Sequence, residues 1–121
     1  MSENIQILNE QILNEAKGLM KDRFPMMVKY FLEDTEMYLG EIQQAIKTNE
    51  IENAVSPAHT IKSSSKQLGA EKLSEIAKEM EAFTRDAKNN AEDIETLNNL
   101  LKDMSNEFKL VISELENYSK E

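Results

Sequence analysis

A chain of 121 residues with a net charge of −9 and no cysteine excludes several classes at once. The acidity argues against nucleic-acid partners and anionic membrane surfaces, and the missing thiols exclude a disulfide framework and thiolate metal sites. Three glycines and two prolines among abundant Glu, Lys, Leu, Ile and Asn favour a single helical domain over residues 1–121; with no membrane-length apolar run and no signal-like core after Met1-Ser2-Glu3-Asn4, a cytoplasmic protein is expected.

A first helix is predicted from about Asn4 to Lys21. Ile5, Leu8, Ile12, Ala16 and Leu19 recur there at helical spacing, and Leu13 and Met20 widen the stripe. Ser2 or Asn4 would cap it. Asp22-Arg23-Phe24-Pro25 breaks it, because proline tolerates the start of a helix but not its middle. A second helix is predicted from about Pro25 to Thr48, with two adjacent seams. Val28, Phe31, Thr35, Tyr38, Ile42 and Ala45 form one; Met27, Leu32, Leu39 and Ile46 form the other. So broad a stripe suits a helix packed against two neighbours.

The third segment, about Glu50 to Leu68, contains Ser56-Pro57. Either one helix runs through with a kink at Pro57, or a turn over Ile51 to Val55 precedes a new helix with Ser56 as cap and Pro57 first. The continuous kinked helix is favoured. Gly69 marks its stop. A fourth helix from about Ala70 to Lys88 buries Leu73, Ile76, Ala77, Met80, Thr84 and Ala87, with Glu81 at the edge of that face. A fifth, from about Ala91 to Tyr118, carries the heptad seam Ile94, Leu97, Leu101, Met104, Phe108, Val111, Leu115 and Tyr118. The expected fold is all-α: an antiparallel up-and-down four-helix bundle with an additional N-terminal helix, a monomer rather than an intermolecular coiled coil.

The chemistry concentrates in Ser56 to Ala70, which holds the only histidine. On a helical wheel His59 shares a face with Val55, Ser56, Lys62, Ser63 and Lys66, all within about 60° of it. Ala54, Ala58, Ile61, Ser64, Ser65 and Leu68 face the other way. An imidazole therefore stands outward between lysines and serines. Nothing suggests the pocket and oxyanion hole that a hydrolytic Ser-His-acid site needs. One histidine without cysteine is not a usual zinc set. A solvent-facing imidazole with a lysine one turn on does suit acceptance of a phosphoryl group. The neutral ring is nucleophilic near neutral pH, and the ammonium offsets charge on the phosphoryl oxygens.

Ala58-His59-Thr60-Ile61-Lys62, then Ser64-Ser65 and Leu68-Gly69-Ala70, closely resembles the core motif of histidine-containing phosphotransfer (HPt) domains. The likeness covers about Phe24 to Asp86 well, and the last helix by pattern only. It implies a four-helix bundle that relays phosphoryl groups in two-component signalling, with no ATP-binding or kinase domain of its own. His59 would accept a phosphoryl group on its outer nitrogen from the aspartate of a receiver domain, in a hybrid kinase or response regulator, and pass it to another receiver. Lys62 would assist electrostatically, and Glu81 would orient the imidazole. Val55, Ser56, Ser63 and Lys66 would meet the partner, with a contribution from the second helix. The chain would need no cofactor, because the receiver brings the divalent metal. Ser63 stands where the family usually has glycine. That departure admits an alternative, a module that docks or sequesters receivers without efficient transfer.

Overall fold

The computed structural model describes residues 7–119. Five α-helices follow one another: α1 (Glu10–Met20), α2 (Phe24–Lys47), α3 (Val55–Gln67), α4 (Glu71–Asp86) and α5 (Ala91–Ser119). Short 3-10 turns at Lys21–Arg23 and Ile51–Ala54 lead into α2 and α3. No strand occurs among the described residues, and none of their helices is long and apolar enough to cross a membrane. The helices α2 to α5 form an antiparallel bundle in which α2 packs on α3 and α5, and α4 packs on the same two. The extra helix α1 rests on α2 and α3. This is the architecture expected from the short connections and amphipathic stripes.

The core follows the predicted seams closely. Val28, Phe31, Thr35, Ile42 and Ala45 of α2 are buried, as are Leu97, Met104, Phe108, Val111 and Leu115 of α5. Phe31 meets Phe108 edge-on, with ring centroids 6.2 Å apart. The second seam of α2 is shallower: Met27, Leu32 and Leu39 are half-buried and only Ile46 is fully covered.

Three local expectations are corrected. The first helix begins at Glu10, later than Asn4, because Asn9 caps it: its Oδ1 accepts from the Ile12 amide at 3.2 Å. Ile5 and the proposed caps Ser2 and Asn4 lie outside the described residues. Within α1, Leu13 is the fully buried anchor and Leu19 is 81% exposed, so the buried stripe runs through Leu13, Ala16 and Met20. The third segment is not one kinked helix. A 3-10 turn over Ile51–Ala54 passes into α3, which starts at Val55 with Ala54 in the cap position and no side-chain cap. Pro57 is the third residue of α3, where its missing N–H has no intrahelical partner to lose. Ser56 is not the cap; its carbonyl accepts from the Thr60 hydroxyl at 3.2 Å.

Gly69 ends α3 with φ +81°. The Ala70 amide donates to the Ser65 carbonyl and the Gly69 amide to the Lys66 carbonyl, the paired bonds of a left-handed helix stop. The Gly69 carbonyl in turn accepts from the Asn9 amide at 2.8 Å, which ties α1 to the α3–α4 corner. A Cβ at Gly69 would sit 2.7 Å from the Asn9 carbonyl oxygen. Gly69→Ala therefore combines positive-φ strain with a backbone clash. We expect it to lower stability by roughly 2 kcal/mol in urea unfolding. A midpoint equal to that of the unsubstituted chain would show that this corner does not hold α1.

One buried carboxyl side chain has no counterpart in the predicted seam. Glu107 is 4% exposed on α5, with Lys72 of α4 3.9 Å from its Oε1 and no hydrogen-bond partner on Oε2.

Candidate phosphoryl-acceptor site

The site is built on α3 and completed by α4. The inward face of α3 is packed tightly: Ala54, just before it, Ala58, Ile61 and Ser65 are 0% exposed and Leu68 is 1% exposed. Small residues at that face let neighbouring helices approach, and the large groups Ile61 and Leu68 lock the helix by packing. Ser74 of α4 fastens the two helices further: its hydroxyl donates to the Lys62 carbonyl at 2.8 Å. The opposite face presents His59, whose side chain is 56% exposed.

Behind the ring lies Glu81. It is buried, at 7% exposure, rather than lying open on the helix surface. Its Oε2 is 3.0 Å from His59 Nδ1 and 2.8 Å from Arg85 Nη2. Its Oε1 is 2.9 Å from Lys62 Nζ. Burial pushes the Glu81 pKa up, but the hydrogen bonds from Arg85, Lys62 and His59 outweigh it and bring the carboxyl from its ordinary 4.5 to about 2. At neutral pH Glu81 is thus a carboxylate, which only accepts hydrogen bonds. Nδ1 must then be the donor. In the neutral ring the lone pair is left on Nε2, on the side of the ring away from that contact.

The remaining predicted residues fall where the wheel puts them. Ser56, Ser63 and Lys66 are exposed on the outer face of α3, and Val55 is half-buried at its start. Lys62, 30% exposed, turns toward Glu81. A groove of about 620 Å³ between α3 and α4 is lined by Lys62, Ser63, Lys66 and Lys78 and also by Glu71 and Glu75. Among the described residues Lys66 and Lys78 form no ion pair.

Sequence reasoning missed Arg85, Ser74 and Lys78. Arg85 had a readable signal, its four-residue spacing from Glu81 on one helix. Ser74 and Lys78 had none, because their roles depend on how α4 lies against α3.

An outward imidazole on α3, backed by an ionised carboxylate and flanked by lysine, is the arrangement that the resemblance to HPt domains implies. Comparison with known proteins agrees. The chain matches the Hpt domain family over residues 26–109 and belongs to that family. Its fold is similar to the crystal structure of histidine-containing phosphotransfer protein B from Pseudomonas aeruginosa PAO1, with a TM-score of 0.85 and 22% identity over 97% of each chain. No curated protein matches the chain.

Proposed function

We propose that the protein is a phosphohistidine carrier: His59 takes a phosphoryl group from the aspartyl phosphate of one receiver domain and delivers it to the aspartate of another. The observation that carries this reading is the contact between His59 Nδ1 and the ionised Glu81, beside an exposed ring. In the forward step the Nε2 lone pair attacks phosphorus. The bond from phosphorus to the aspartyl oxygen breaks, and the aspartate leaves as a carboxylate. The proton on Nδ1 stays in place. The ring gains positive charge, and that charge develops opposite Glu81. Delivery to the next receiver reverses each change. The receiver supplies the divalent metal, and this chain supplies a positioned nucleophile.

Lys62 neutralises phosphoryl oxygens as the group moves. The docking face is Val55, Ser56, Ser63 and Lys66, extended along the groove to Lys78. Receiver active sites are acidic, so these unpaired ammonium groups favour encounter. Lys62→Ala is expected to slow transfer about tenfold, equivalent to about 1.4 kcal/mol, without changing the fold. Stopped-flow or quench kinetics would read it, and an unchanged rate would remove Lys62 from the mechanism.

The reading is tested by mixing the protein with phosphorylated receivers from its source. An acid-labile, base-stable adduct should form, and His59→Gln should form none. Measurable binding without an adduct would favour the docking module instead, the outcome to which Ser63, one turn on from His59, is relevant.

A further inference from the structure

Two donors converge on one oxygen of Glu81. Arg85 Nη2 lies 2.8 Å from Oε2, and His59 Nδ1 lies 3.0 Å from the same atom. Lys62 occupies Oε1 at 2.9 Å. Both carboxylate oxygens are therefore pinned, one from α3 and one from the next turn of α4. Glutamate has a freely rotating terminal torsion, so a carboxylate held by Lys62 alone can turn its second oxygen away from the ring. The guanidinium removes that freedom.

An exposed arginine four residues from a glutamate usually contributes little, because water screens both partners. Here the acceptor side chain is 9% exposed, whereas the guanidinium side chain is 59% exposed. The restraint falls on a buried carboxylate whose one task toward His59 is to face Nδ1. Resting on the phosphotransfer reading for its kinetic consequence, the geometry points to Arg85 as a positioning residue: by holding Oε2 it keeps the proton on Nδ1 and the attacking lone pair on Nε2. The hydrogen bond of Arg85 goes to Glu81, so its action on the ring runs through that carboxylate.

The test uses the full chain with ¹⁵N-labelled imidazole, compared with Arg85→Ala and Arg85→Lys. In the unsubstituted protein the neutral ring should be almost wholly the Nδ1–H tautomer. Arg85→Ala should shift it toward a mixture and slow phosphoryl transfer about fivefold at an unchanged urea midpoint. Arg85→Lys, which restores a cationic donor, should recover most of both. An Arg85→Ala protein that keeps the single Nδ1–H tautomer would overturn the assignment. A shifted tautomer in a chain that accepts no phosphoryl group would uphold the role of Arg85 and overturn the phosphotransfer reading.

Discussion

Glu81→Ala should slow phosphoryl transfer to His59 on the order of 100-fold, close to 3 kcal/mol in the barrier. The carboxylate supplies two things in one place. It accepts the Nδ1 hydrogen bond at 3.0 Å, and it sets a negative charge against the ring as the ring becomes cationic. Alanine removes both. Glu81→Gln keeps an acceptor oxygen and removes the charge, so its rate should fall between the two. The same carboxylate gives the fold an acid limb. Its folded pKa, about 2, lies below the ordinary 4.5, so ionised Glu81 stabilises the folded state fully above about pH 4.5. That contribution declines as pH falls through the folded value. The difference in unfolding free energy between the unsubstituted protein and Glu81→Gln should be flat from neutral pH to about pH 5 and shrink toward pH 2. Urea unfolding over that range checks it. A difference that grows on acidification would mean that Glu81 is not held as an ion by His59, Lys62 and Arg85.

Ile61→Ala should cost roughly 2–5 kcal/mol of stability, the largest expected loss from a single truncation beneath the site. Ile61 is 0% exposed and is the one long aliphatic side chain on an inner face otherwise built of proline, alanine and serine until Leu68. The small neighbours cannot move in to fill the space, so a cavity stays open. Because Ile61 sits two residues from His59 on the opposite face of α3, the loss should also loosen the helix that aims the ring. Chemical unfolding gives the first effect. Broadened His59 resonances in a still-folded protein give the second. A cost well below 1 kcal/mol would show that α3 is held mainly by its contacts nearer Gly69.

The bundle was legible because burial in it obeys periodicity. The α5 seam, the main seam of α2 and the stop at Gly69 each depend on local spacing or on a single residue's backbone freedom. The outward direction of His59 followed from the same wheel. The approach to α3 was not legible, because a 3-10 turn and an α-helix differ by one hydrogen-bond step and share the same apolar residues, Ile51 and Ala54. The start of α1 was misplaced because Asn4 and Asn9 are equal as caps in sequence. Asn9 meets Gly69 and Glu71 across the fold, contacts that no local spacing contains. At the site, the wheel put Glu81 at the edge of the buried face and Arg85 lies four residues on in the same helix, but the convergence of Lys62 and His59 upon Glu81 is tertiary. The stacking of α4 on α3 decides that, and no spacing within either helix contains it.

The most direct test is to phosphorylate the ¹⁵N-histidine-labelled protein with a phosphorylated receiver and record the imidazole nitrogens. Nitrogen–phosphorus coupling is expected at Nε2 of His59, with the proton still on Nδ1. Phosphorus on Nδ1, on a neighbouring serine hydroxyl, or on no atom of this chain with any receiver from its source would contradict it.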